Sequence, residues 1–270
     1  MIGASGVLAV AAATAAADGV APLDEATLLT LRHHPEQVRI WGDNRGVGLL
    51  IGEDLSLVVL PNHRGTGLGK RLLREAPADQ PLTAWSHGDH PAAAALAASH
   101  GWRRARELWV MRRPTADLAS LGPAPDGVEI RGFRAGDEDE LLRVNAAAFA
   151  HHPEQGALDR AGLAERMGEP WFEPAGLIEA WDTATGRLLG FHWTKRHSAD
   201  LGEVYVVGID PAAQGRGLGK HLTLAGLHHL ADVREIHLYV EADNEPAVRL
   251  YSGLGFTHTQ ADTHVQYARD

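Results

Sequence analysis

The sequence predicts an α/β (α+β) chain made of two copies of one domain in tandem. Three features carry that reading. Short runs rich in Val, Ile and Leu alternate with stretches of helical periodicity, which suits mixed folds and not an all-helical chain. A glycine-rich loop occurs twice, as RGTGLGK at 64–70 and QGRGLGK at 214–220. Between the copies, PTADLASLGPAPDG at 114–127 is broken by prolines and glycines and has little periodicity, as a linker does. The expected division is therefore 1–113, a linker at 114–127, and 128–270.

The repeat extends beyond the loop. An offset of 150 residues pairs Pro61 with Pro211, Gly65 with Gly215, Gly67 with Gly217, Leu68 with Leu218, Lys70 with Lys220 and Leu72 with Leu222. Farther on, Gly101-Trp102 answers to Gly255-Phe256. Self-similarity at this spacing means two copies of a domain, not a solenoid.

Residues 1–19 are apolar and alanine-rich, and the first Lys or Arg is Arg32. A secretory signal needs a basic start, and a membrane span needs a longer, less alanine-rich run. A first helix packed on the domain is expected instead, ended by Gly19 and Pro22. In the second copy, EVYVVGID (203–210) reads as a strand and 211–217 as the loop. Leucines at helical spacing over 218–230 read as a helix, and EIHLYVEA (235–242) as a strand. The next segment, NEPAVRLYSGLGF, reads as a helix with Asn244 as N-cap, Pro246 in its first turn, and an end at Gly253 or Gly255.

Composition sets outer limits. The 270 residues, 44% hydrophobic, suffice for two modest cores. A formal net charge of −10 argues against a duplex nucleic-acid binder. The absence of cysteine excludes disulfides, cysteine zinc sites and a cysteine acyl-enzyme, and fits a reducing, cytoplasmic home. None of the sixteen histidines falls in an H-E-x-x-H pattern, and His228 and His229 would point to different helix faces, so no metal is expected. HHPEQ occurs at both 33–37 and 151–155, outside the repeat register, and is treated as coincidence.

A glycine loop entering a helix N-terminus presents several unpaired N–H groups and the positive end of the helix dipole, which makes an anion site. The spacing excludes a Walker A loop, which needs Gly where Gln214 stands and Ser or Thr where His221 stands. The dinucleotide fingerprint G-x-G-x-x-G fails as well, since the spacing here is G-x-G-x-G.

Q/R-G-x-G-x-G between a strand and a helix resembles the GCN5-related N-acetyltransferases, in which this loop cradles the pyrophosphate of acetyl-coenzyme A. The later pattern N-x-x-A-x-x-L-Y-x-x-x-G-F is met at Asn244, Ala247, Leu250, Tyr251, Gly255 and Phe256. The resemblance implies two tandem acetyltransferase domains, each a mixed central sheet flanked by helices. It also implies a tyrosine near the cofactor sulfur, and Tyr251 holds that place as general acid. The first copy has Ala97 there, and His90 in place of Asn244, so it is expected to be non-catalytic. An amine nucleophile is mostly protonated near neutrality and needs a base. Glu203 is the candidate, and Glu53 is its counterpart at the 150-residue offset. Backbone N–H groups of Val207, Gly208 and Ile209 could bind the thioester carbonyl.

The stretches 18–29, 140–156, 186–197, 201–214 and 238–251 narrow the resemblance to tandem-domain members that acetylate the cysteinyl amine of a cysteinyl-glucosaminyl-inositol. By that resemblance the substrate is a small thiol glycoside, contacted by Glu25, Glu154, Lys195, Glu203 and Tyr239. Acetyl-coenzyme A contacts fall on Val207, Gly208 and Ile209, on Gln214, Gly215, Arg216, Gly217, Leu218, Gly219 and Lys220, and on Asn244, Glu245, Pro246, Ala247, Val248 and Arg249. First-copy counterparts are Leu57, Val58 and Val59 with Gly65, Thr66, Gly67, Leu68, Gly69 and Lys70. A monomer without nucleic-acid or membrane partners is expected. An acetyltransferase for another amine and a non-catalytic acetyl-coenzyme A-binding module remain the alternatives.

Overall fold

The computed structural model describes residues 2–150 and 155–270. Its helices are α1 (Ala4–Asp18), α2 (Glu25–His33), α3 (Leu68–Arg74), α4 (Pro91–Ser99), α5 (Glu138–Ala148), α6 (Arg160–Met167), α7 (Leu218–His229) and α8 (Glu245–Gly253). Its strands are β1 (Arg39–Asp43), β2 (Gly46–Ile51), β3 (Asp54–Val59), β4 (Leu82–Ser86), β5 (Arg103–Pro114), β6 (Val128–Gly132), β7 (Leu177–Asp182), β8 (Leu188–Arg196), β9 (Leu201–Ile209), β10 (Glu235–Glu241) and β11 (Thr263–Arg269). The expected helix at the start of the chain is α1, closed by Gly19 in the left-handed region at φ 71°. Among the described residues, no helix is long and apolar enough to cross a membrane.

Two compact units emerge, and they are not contiguous in sequence. The first comprises Met1–Trp109, Glu241–Asp243 and Thr259–Asp270; the second comprises Val110–Val240 and Asn244–His258. The boundary read along the chain, 1–113 and 128–270, has no such exchange: here β11, the last strand, belongs to the first unit. It pairs antiparallel with β4 on one side and β5 on the other.

In the first unit the strands run β1-β2-β3-β4-β11-β5. All pairs there are antiparallel except β3–β4. Helix α1 buries Val7, Val10 and Ala11 against Val47, Leu49 and Val58, which gives the alanine-rich start its packing partner. A second cluster joins Leu55, Leu73, Leu82, Ala97 and Trp102 to Val265 and Tyr267 of β11.

In the second unit the order is β10-β9-β8-β7-β6, again with one parallel pair, β9–β10. Helix α7 covers one face through Leu218, Leu222 and Ala225, packed on Ile178 and Ala180. The other face carries Leu141, Val144, Leu163, Phe191, Trp193 and Val206. Gly226 lets α7 approach closely, since a Cβ there would lie 2.0 Å from the His192 ring. His192 is fully buried, with Nδ1 2.8 Å from the Leu222 carbonyl, and burial pushes its pKa down to about 4.

Each parallel pair brackets a glycine loop and its helix. A right-handed strand–helix–strand unit places the loop at the carboxyl ends of the strands, where open sheets bind ligands.

Candidate functional site

The second glycine loop starts with a 3-10 turn at Pro211–Ala213, stabilised by the Asp210 carboxylate accepting from the Ala212 N–H at 2.9 Å. Gly215 (φ 78°) and Gly217 (φ 77°) then adopt left-handed backbone. A Cβ at either glycine would meet nothing within 4 Å, so conformation and not space demands glycine here. Gly217 is the N-cap of α7 and offers no side chain to cap it. The first N–H groups of α7 are therefore left for an outside acceptor. Gln214, Gly215, Arg216, Gly217 and Lys220 are exposed, Gly219 is half-buried, and Leu218 anchors the loop in the core.

Strand β9 leads into this loop and has two special features. The pairing with β8 slips between Trp193 and Thr194, so β9 carries an extra residue, Tyr205, as a bulge. The parallel pairing with β10 ends at Leu238↔Val204, although both strands continue. The two strands thus part, and the 205–209 stretch, including Val207, Gly208 and Ile209, loses its neighbour on that edge.

Below the split, side chains converge on one sheet face. Lys195 of β8 and His237 of β10 both lie in register with Glu203 of β9. Two residues farther along, alternation places His197, Tyr205 and Tyr239 on the same side. Glu203 is 6% exposed. Its Oε2 lies 2.6 Å from Nε2 of His197 and 3.6 Å from Nε2 of His237. Burial works against its charge, but the His197 hydrogen bond and the approach of His237 outweigh burial and bring the carboxyl down to about 2. Glu203 is thus ionised at neutral pH. Neither ring nitrogen of His237 has a hydrogen-bond partner among the described residues. Tyr239 is 45% exposed and stands edge-on to His237, centroids 5.5 Å apart. Lys195 is buried, with Nζ 4.6 Å from the Trp171 ring centroid and 5.2 Å from that of Tyr205. An ammonium is attracted to the faces of aromatic rings at such distances.

Helix α8 holds the other predicted residues. The Asn244 side chain accepts from the Ala247 N–H at 3.3 Å, the expected N-cap. Glu245 and Arg249 pair at 2.9 Å on the exposed side, Pro246 sits in the first turn, and Ala247 and Val248 are half-buried. The Tyr251 ring packs edge-on against Phe256, and burial pushes its phenol up to about 12.

The first unit repeats the loop and not the rest. Its 3-10 turn is Pro61–His63, Gly65 and Gly67 have φ of 72° and 84°, and Leu68 starts α3. A concave surface at this loop is lined by Arg45, His63, Thr66, Gly67, Leu68 and Arg71. Leu57, Val58 and Val59 are on β3, as expected. Gly69 is half-buried and Lys70 exposed. Ala97 is buried in the core, and His90 caps α4 by accepting from the Ala92 N–H, the job Asn244 does for α8. Glu53 differs from Glu203 altogether: it is an exposed residue of the β2–β3 turn, because β3 begins only at Asp54. Glu25 opens α2 in the first unit, directly after its cap Asp24. Glu154 lies outside the described residues.

His197, His237 and Tyr205 were not anticipated as site residues. The signal available was strand alternation, which puts His197 two residues after Lys195 and His237 two before Tyr239. The parallel register that aligns His237 with Glu203 has no local signature.

Comparison with known proteins agrees with this geometry. Residues 145–256 match the acetyltransferase (GNAT) family. A mycothiol acetyltransferase from a Nocardioides species is 63% identical, covering 97% of this chain and 96% of that protein. One from Actinosynnema mirum is 49% identical over 93% of this chain and 90% of its own length. A solved tandem GNAT protein from the clavulanic acid biosynthesis pathway superposes with a TM-score of 0.72 at 21% identity, covering 98% of this chain and 94% of that one. A GCN5-related N-acetyltransferase from Sphaerobacter thermophilus gives 0.68 at 22% identity, covering 98% and 92%. At such identities the two structures speak for the fold alone.

Proposed function

The chain belongs to the mycothiol acetyltransferase family of acetyl-coenzyme A-dependent N-acetyltransferases, and on that premise we propose that it acetylates the cysteinyl amine of desacetylmycothiol, giving mycothiol and coenzyme A. The observation that carries the proposal is 63% identity to a relative of that name over nearly the whole chain.

Each step has a residue suited to it. The N–H groups of the 214–220 loop and of the first turn of α7 hold the cofactor phosphates. Asn244, Glu245, Pro246, Ala247, Val248 and Arg249 flank the cofactor from α8. Lys195, Glu203 and Tyr239 orient the thiol glycoside on the sheet face, and Glu154 is a further proposed contact. Glu203 takes one proton from the substrate ammonium, which frees the nitrogen lone pair to form the new C–N bond, and the second N–H proton leaves the tetrahedral adduct to solvent. The backbone N–H groups of Val207, Gly208 and Ile209 stabilise the charge that develops on the carbonyl oxygen, as a preorganised oxyanion hole does. Tyr251, neutral at every physiological pH, donates its phenolic proton toward sulfur as the C–S bond breaks. The proton then returns from Glu203 to Tyr251 through solvent, which restores both groups.

The first domain is proposed to keep a binding loop without chemistry, because a buried Ala97 stands where Tyr251 stands. The test is coenzyme A release by purified protein given acetyl-coenzyme A and desacetylmycothiol. Release no faster than without protein would overturn the reading.

A further inference from the structure

His197, Glu203 and His237 form a cluster that acetyl transfer does not account for. Their ligand-type atoms all lie within 4.8 Å of one another. They come from three places that only the fold unites: the residue just after β8, the interior of β9 and the interior of β10. The His197 and His237 rings lie 5.1 Å apart and tilted by 32°, both turning Nε2 toward one carboxylate oxygen.

His237 is the anomalous member. It is 5% exposed, yet neither of its ring nitrogens has a hydrogen bond among the described residues. Leaving a buried polar group orphaned is costly, and native structures seldom do so without a reason. Oε2 of Glu203 lies 3.6 Å from its Nε2, too long for a hydrogen bond. An ion placed between them satisfies both groups.

We propose that His197, Glu203 and His237 form a binding site for a single divalent transition metal of the zinc type. Two imidazoles and one carboxylate are a donor set for zinc, and such three-ligand sites keep a further position for water or an incoming donor. Hard cations such as Mg²⁺ and Ca²⁺ want oxygen ligands and are disfavoured here. Bonds of about 2.0–2.2 Å separate neighbouring ligand atoms by about 3.3 Å in a tetrahedron. The observed 2.6 Å and 3.6 Å bracket that value, so small side-chain shifts suffice. Binding replaces the hydrogen bond between His197 and Glu203. His197, one-third exposed, gives the ion its entry.

Zinc held here ties up the Glu203 carboxylate. The consequence, inhibition competitive with the amine, rests on Glu203 being the base; the binding itself does not.

The test is equilibrium dialysis of tag-free full-length protein against zinc alone, without either substrate, because a thiol substrate would itself bind zinc. The His197→Ala, His237→Leu double variant sets the background from the other histidines. One additional zinc per wild-type chain is expected. Each of His197→Ala, His237→Gln and Glu203→Gln should weaken it by more than the about 10–100-fold typical of losing an outer-shell partner. His197→Ala alters a partly exposed position and guards against misfolding of the buried variants. Far-ultraviolet circular dichroism identifies any misfolded variant, which is then set aside. Wild-type zinc no greater than the double-variant background would overturn the site, as would undiminished affinity in folded His197→Ala. Acetyl transfer measured separately in chelator keeps a failure here distinct from a failure of the proposed activity.

Discussion

Gly67 and Gly217, 150 residues apart, hold the same left-handed backbone, at φ 84° and 77°, each as the N-cap of a helix. Around them the two units have diverged. The second unit has a parting pair of strands beyond Val204 and a helix that carries Tyr251. In the first unit the equivalent helix position is a buried alanine, Ala97.

Valine at either glycine would be strained by about 1–2 kcal/mol, since a Cβ is disfavoured in that region. Both positions open to solvent, so the backbone and not a clash transmits the effect. Gly217→Val is expected to weaken acetyl-coenzyme A binding by about tenfold, the equivalent of about 1.4 kcal/mol. Gly67→Val is expected to leave turnover unchanged. Calorimetry and steady-state kinetics on both variants provide the check. Loss of turnover in folded Gly67→Val would give the first loop a role in catalysis.

Tyr251→Phe keeps the ring against Phe256 and removes only the hydroxyl. If Tyr251 donates to the leaving sulfur, kcat falls by about 10²–10⁴-fold while acetyl-coenzyme A affinity is retained. Because burial holds the phenol near 12, wild-type turnover should show no loss from its ionisation below about pH 11. Unchanged kcat in the variant would remove Tyr251 as the donor.

The legible and illegible parts of the site divide along physical lines. The loop was legible because φ > 0 demands glycine, and because Leu68 and Leu218 mark where each helix enters its core. Asn244 was legible because capping is local. The setting of Glu203 was not: His197 arrives through the β8–β9 hairpin, and His237 through a parallel register set by packing of α7. The same offset that aligned the loops mismatched Glu53, because β3 starts later than β9 and leaves that residue in a turn. Nothing local in 263–269 distinguishes a strand that closes its own unit from β11, which adds to the other.

Glu203→Gln keeps the shape and most hydrogen bonds and removes the carboxylate. The expected loss in kcat/KM is about 10²–10⁴-fold near neutral pH. The deficit should shrink as pH rises past about 8, where an α-amine loses its own proton and no longer needs a base. A deficit that stays constant from pH 6 to pH 9 would mean that Glu203 positions the substrate without accepting its proton.

Glu179 supplies a prediction about stability, away from the chemistry. It is fully buried on β7, where its Oε2 accepts from Arg131 at 3.0 Å and from Trp181 Nε1 at 2.9 Å. Its other oxygen has no hydrogen-bond partner among the described residues, and Asp137 shares Arg131 with it. Burial, aided by the Asp137 charge, pushes the Glu179 carboxyl up to about 8, against the partial relief from Trp181 and Arg131. The folded state therefore binds this proton more tightly than the unfolded chain, whose carboxyl titrates near 4.3. That stability is fully present below about pH 4.3 and is lost as pH rises toward 8, by at most about 1.4 kcal/mol per pH unit. Glu179→Gln replaces the proton with an amide that cannot titrate. Urea denaturation of both proteins from pH 5 to pH 8 should show the variant gaining on the wild type as pH rises. A difference between them that does not change with pH would mean that Glu179 is ionised in the fold, held by Arg131 as an ordinary buried ion pair.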